Sequence, residues 1–212
     1  MPSATLESVG LTQNNSMNKL IAITGGIGSG KSTALKIINK LGYKSFNADL
    51  TYKQLLDNDD FVIKVSSEME VPPLYENGKL KIDRKGISEK VFNDKTWLAK
   101  LNSITHPAIM NEMLTHAKKE EGLVFCEVPL LFEGGFENLF DYVFIITRSI
   151  ENRIKSVSIR DGKSPEEVER ILKNQFDYAK ISKGGHTIFI DNYGDENCLE
   201  RELKFAIEKI KS

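Results

Sequence analysis

The most specific chemistry in the chain lies in Gly25-Gly26-Ile27-Gly28-Ser29-Gly30-Lys31-Ser32, followed by Thr33. The spacing fits G-x-x-x-x-G-K-[ST], with an apolar run before it and a helical pattern after it. Glycines reach backbone angles closed to other residues, so N–H groups can crowd around phosphate oxygens, and a helix opening at Lys31 adds its positive end. Lys31 is then placed to bridge β- and γ-phosphates, and the Ser32 hydroxyl to ligate Mg²⁺. The segment from Gly25 to Thr33 is expected to bind a nucleoside triphosphate. By itself it leaves kinase, GTPase and motor open.

Two acids extend the pattern. Glu127 ends the apolar run Leu123-Val124-Phe125-Cys126, where a carboxylate can hold Mg²⁺ or its waters opposite the loop, or simply cap or pair at a strand end. Asp49 follows a short second strand, at the same carboxyl edge of a parallel sheet. There it can accept the proton of an attacking hydroxyl and aim it at the γ-phosphoryl, or cap the following helix. No Asn/Thr-Lys-x-Asp segment follows a strand, which argues against guanine recognition. Arg153, Arg160 and Arg170 lie on a charged helical stretch. An arginine closing over phosphates stabilises the transferring charge, although a solvated face also explains Arg153 and Arg170.

These residues need a scaffold. Leu20–Thr24 reads as a strand stopped by glycines, Lys31–Lys40 as a helix ended by Gly42, and Tyr43–Asn47 as a second strand. Leu123–Val128, Tyr142–Thr147 and Thr187–Ile190 complete five strands separated by helices. That pattern predicts an α/β, P-loop NTPase three-layer fold with a five-stranded parallel sheet covered on both faces. The core is expected at 18–50, 120–148 and 185–212. Residues 51–119 form a mainly helical acceptor-binding insertion, broken by loops or turns at Val71-Pro72-Pro73 and Glu76-Asn77-Gly78-Lys79. Residues 149–184 form a mobile helical lid, in which Ser164-Pro165-Glu166-Glu167 supplies a capping box. Leu199, Leu203, Ala206, Ile207 and Ile210 stripe a C-terminal helix, and the polar residues 1–17 are expected as a disordered leader.

Composition narrows the class. The 212 residues are 40% hydrophobic and 28% charged, as in a globular enzyme. Lys plus Arg (29) balances Asp plus Glu (30), so no overall basic field argues for nucleic acid. No stretch reaches the ~20 apolar residues of a membrane helix, and no signal peptide is apparent. Two cysteines, Cys126 and Cys198, are too few for a disulfide framework or zinc cluster. A cytoplasmic protein, monomeric or weakly homo-oligomeric, is expected.

From Leu20 nearly to the C-terminus the chain resembles the dephospho-CoA kinases. Thr24–Ser32 looks like that family's phosphate loop, and Asn47-Ala48-Asp49 is similar to its Asp-Ala-Asp signature with Asn47 in the first place. Asn77 to Arg84, Val91-Phe92 and Ile104-Thr105-His106-Pro107 resemble its substrate-binding insertion, and Val128-Pro129-Leu130-Leu131-Phe132-Glu133 matches its Pro-Leu-Leu-Phe-Glu segment. The resemblance implies phosphoryl transfer from ATP, with Mg²⁺, to the ribose 3′-hydroxyl of dephospho-CoA, the last step of coenzyme A synthesis.

It further implies that Asp49 is the catalytic base, assisted by Lys31 and the lid arginine Arg160. Arg84, His106, Pro129, Leu130, Leu131, Phe132 and Glu133 would join Asp49 in binding the acceptor. Without that pattern His106 reads as a turn residue before Pro107. Gln175 fits the segment after the lid, and Asn192 would border the adenine. Arg153 and Ser156 stand where the family commonly has Gln and Arg, and Gly185-His186-Thr187 replaces its usual Ala-Asp pair. Two other readings are another small-molecule P-loop kinase, such as a nucleoside monophosphate kinase, and a non-catalytic ATP-binding protein.

Overall fold

A computed structural model describes residues 18–182 and 184–211, so the leader expected at 1–17 lies outside the described residues. Five strands form one parallel sheet: β1 (Asn18–Thr24), β2 (Lys44–Asn47), β5 (Gly122–Glu127), β6 (Tyr142–Thr147) and β7 (Thr187–Asp191), in the order β2-β5-β1-β6-β7. β1 is central because Leu20 to Thr24 is apolar or small at every position and is buried on both faces.

Alternation along the strands divides the core in two. Ile21, Ile23, Phe125, Phe144 and Ile146 face α1 (Lys31–Lys40) and α8 (Glu196–Lys211), which contribute Ile37, Ile38, Leu203 and Ile207. Leu20, Ala22, Val124, Cys126, Val143 and Ile145 meet Met110, Met113 and Leu114 of α5 (Lys95–Ala117) on the opposite face. The result is helix, sheet, helix. The expected C-terminal stripe is buried, and Lys19 Nζ donates to the Ile210 carbonyl at 2.8 Å near the end of α8.

Between β2 and β5 run α2 (Ala48–Leu55), α3 (Asp59–Met69), α4 (Arg84–Asn93) and α5, with a small core of their own. Phe61, Val62, Val65, Met69, Ile82 and Ile87 fill it, and Trp97 and Ile104 pack against it. This region is not wholly helical. β3 (Leu74–Glu76) and β4 (Lys79–Lys81) pair antiparallel around Asn77 and Gly78, both at positive φ. An Asn-Gly pair suits a tight two-residue turn, so the segment read as loop or turn is the turn of a hairpin. Pro107 lies inside α5 and not in a turn, so the turn reading of His106 does not hold. Buried packing by Met110, Met113, Leu114 and Ala117 anchors the helix beyond it.

After β6 come α6 (Ile150–Asp161) and α7 (Pro165–Lys173). The capping box at the start of α7 is complete: Ser164 Oγ accepts from Glu167 N at 3.3 Å, and Glu167 Oε2 accepts from Ser164 N at 2.8 Å. Among the described residues, no helix is long and apolar enough to cross a membrane.

Candidate active site

The turn from β1 into α1 is built for an anion. No side chain caps the start of α1, no acid lies in its first turn, and its N-cap Gly30 is left-handed at φ 101°. A side chain at Gly30 would be strained, and its Cβ would overlap the Asn192 amide; at Gly25, φ 144°, a Cβ would strike the Ile146 carbonyl. The backbone N–H groups at this helix end therefore stay available to phosphate oxygens. Lys31 Nζ donates to the Gly25 carbonyl at 2.8 Å and the Gly26 carbonyl at 3.2 Å. Burial holds the Lys31 ammonium below its ordinary pKa; Glu127 and Asp49 oppose that shift, while Arg153 and Arg160 reinforce it. Lys31, Arg153 and Glu127 all bond to groups of the loop.

Sheet register brings the next layer into line. Ile23 and Asn47 both stand opposite Glu127, at the carboxyl edge where β1 becomes the loop. Glu127 is only 4% exposed, so its oxygens need partners. Ser32 Oγ donates to Oε1 at 3.1 Å and Asn47 Nδ2 to Oε2 at 2.6 Å. A buried carboxylate satisfied by neutral donors, beside the Ser32 hydroxyl, fits a hard divalent cation. No cluster of three or more His, Cys, Asp or Glu side chains suited to a metal occurs among the described residues. An ion here would complete its shell with phosphate oxygens and water.

Asn47 also settles the alternative for Asp49. The Asn47 side chain caps α2, accepting from Leu50 N at 3.1 Å, and Asp49 stands exposed in the first helical turn. Asp49 is not the cap. It lines a cleft of about 130 Å³ with Tyr52, His106, Val128, Pro129 and Leu130. His106, half-buried on α5, is pushed below its usual pKa by burial, with the Glu133 charge opposing. Arg84 is exposed at the start of α4, and its charge acts on Tyr52 of the same cleft.

Three expected site residues make structural contacts of their own. Leu131 is fully buried in the core against α5, so its side chain anchors the segment and does not face the cleft. Phe132 stacks on Phe176 with ring centroids 5.2 Å apart, and both rings meet Tyr178 edge-on, tying the segment to the chain that follows α7. Asn192, expected beside adenine, is 7% exposed with its amide engaged. Its Nδ2 donates to the Ser29 carbonyl at 2.8 Å and its Oδ1 accepts from Gly194 N at 2.9 Å, so it braces the loop.

The arginines of α6 and α7 separate clearly. Arg160 has a 62% exposed side chain and a two-pronged bond to its neighbour Asp161 at 2.7 and 2.8 Å. Arg170 is exposed, and its Nε donates to the Glu166 carbonyl of its own helix at 3.4 Å. Arg153 is no solvated face: its Nε donates to the Ile27 carbonyl at 2.9 Å. Composition hides this contact, and the only trace in the sequence is the departure from family pattern at 153.

Comparison with known proteins agrees with this geometry. A family model described as dephospho-CoA kinase matches residues 19–196. The dephospho-CoA kinase of Chlorobaculum tepidum is 33% identical over 185 residues, covering 84% of this chain and 88% of its own. That of Wolinella succinogenes is 32% identical over 203 residues, covering 92% and 96%. Among solved structures, TT1252 from Thermus thermophilus superposes with a TM-score of 0.71 at 29% identity, covering 91% of this chain and 98% of that one. The dephospho-CoA kinase from Campylobacter jejuni gives 0.60 at 32%, covering 92% and 98%.

Proposed function

The chain belongs to the dephospho-CoA kinase family, and from that premise we propose how its residues phosphorylate the ribose 3′-hydroxyl of dephospho-CoA at the expense of ATP. The observation that carries the reading is the shared sheet edge. The phosphate loop, Glu127 and the Asp49 cleft all open where β1, β2 and β5 end.

ATP lays its phosphates along Gly25–Thr33, and Lys31 exchanges the Gly25 and Gly26 carbonyls for phosphate oxygens. Ser32 and Glu127 would hold Mg²⁺, which when bound neutralises charge on the β- and γ-phosphates. The acceptor ribose enters the cleft between Tyr52, His106 and Pro129-Leu130. Arg84 and Glu133 stand exposed as polar groups for the remainder of the molecule. Asp49, exposed and free of a capping bond, takes the 3′-hydroxyl proton as the oxygen attacks in line. Arg160 reaches the phosphates only by releasing Asp161 as the lid closes. Free Cys126 and Cys198 suit a reducing cytoplasm.

An acceptor panel tests the reading: dephospho-CoA, nucleoside monophosphates, adenosine and shikimate, each with MgATP. ADP release should rise with dephospho-CoA above every other acceptor. Preference for a nucleoside monophosphate would overturn it.

A further inference from the structure

Helix α6 carries a guanidinium to the rim of the phosphate loop. Arg153 Nε donates to the Ile27 carbonyl at 2.9 Å and Nη2 to Gln175 Oε1 at 2.9 Å. The same Gln175 oxygen accepts from Ile27 N at 3.0 Å, so one amide ties the lid arginine and the loop together. The guanidinium lies so close over Gly26 that a Cβ there would overlap Nη2. Ser156, one turn on, is engaged elsewhere, accepting from Arg148 Nη1 at 2.8 Å.

A half-buried guanidinium normally gains a carboxylate, yet both recorded hydrogen-bond partners of Arg153 are neutral. Burial lowers its pKa, and its charge acts on Lys31 more strongly than that of Arg160. Two cations crowd one loop beside the open N-terminus of a helix, an arrangement that an anion would complete. The planar fork of arginine matches phosphate oxygens, and Gly26–Ile27 lies at the end of the loop away from α1. The phosphoryl group reached from there is the outer one of a bound nucleotide, where charge develops during transfer.

We propose that Arg153 binds the terminal phosphates of ATP in this chain, and that Gln175 is the positioning residue that presents it. The inference rests on the kinase reading of the same loop and adds a residue to it. Gln175 keeps its bond to Ile27 N while Arg153 turns from the Ile27 carbonyl to the nucleotide.

The test uses the full chain and Arg153→Gln. Calorimetric titration reads binding of MgATP, MgADP and AMP, and steady-state assays read kcat and KM. Arg153→Gln should lower kcat/KM for ATP at least about tenfold, the scale of a charge-assisted phosphate contact. ATP affinity should fall more than AMP affinity, with the dephospho-CoA KM and the unfolding midpoint close to those of the parent. Gln175→Leu should give a smaller loss with the same nucleotide order. Equal weakening of all three nucleotides, or ATP turnover within about threefold of the parent, overturns the proposal and makes Arg153 a brace only. If Arg153→Gln does not fold, Arg153→Lys keeps the charge without the fork, and the same nucleotide order decides. A parent inactive on dephospho-CoA, whose preference for ATP over AMP vanishes in Arg153→Gln, overturns the acceptor assignment and upholds this role.

Discussion

Asp49 and Asn47 are two residues apart and divide two tasks that the sequence left joined. Asn47 caps α2 and braces Glu127, so Asp49, the proposed base, is not needed as the cap. Asp49→Asn should therefore lose at least about 10²-fold in kcat, as for removal of a general base, with little change in unfolding midpoint. Near-parent turnover, or a large loss of stability, would point to a structural carboxylate. His106 makes the pH prediction. Its folded pKa is depressed by burial, so the unfolded chain binds the proton more readily. Stability should decline as pH falls through about 6.5, the unfolded value. Chemical denaturation between neutral and mildly acidic pH should show a shallower decline in His106→Gln. Motif spacing pointed to Lys31 and Ser32, and the acid that ends an apolar strand pointed to Glu127, which the structure sets beside Ser32. Neither signal revealed Asn192 as a brace, since its partner is the Ser29 carbonyl, far off in the chain.

Elements were readable in proportion to their length and burial. The strands of the large sheet are near-continuous apolar runs, whereas β3 and β4 have three residues each and are largely exposed, too short for an alternating pattern to register. Pro107 suggested a break, but packing on either side of it holds α5 helical. The capping box of α7 was legible because it is local. Its contribution should be local too: Ser164→Ala should cost about 1 kcal/mol, the usual worth of such a cap. Hydrogen exchange should quicken in α7 while the core strands keep their protection. Equal loosening of β1 would mean that lid and core unfold as one unit.

Across the whole molecule, the Pro129–Glu133 segment and the chain after α7 are joined by the Phe132, Phe176 and Tyr178 rings, and the Tyr178 hydroxyl lies 3.4 Å from Thr24 Oγ1 at the root of the Gly25–Ser32 loop. Strand order and this long-range contact were not legible, because no periodicity records which distant segments meet. Coupling between sites is reciprocal. ATP and dephospho-CoA should each tighten the other's binding, and Phe176→Ala should reduce that mutual effect in titrations of one substrate with and without the other. An unchanged effect would assign the rings to packing alone. The central claim is simpler: the Gly25–Ser32 loop and the Asp49 cleft act on one phosphoryl group. Its most direct measurement is acceptor-dependent ADP release by the parent chain and by Lys31→Ala, with coenzyme A quantified in parallel. The parent should form ADP and coenzyme A in equal amounts only when dephospho-CoA and Mg²⁺ are present, and Lys31→Ala should form almost none. A folded parent that binds ATP yet yields no coenzyme A would contradict the claim.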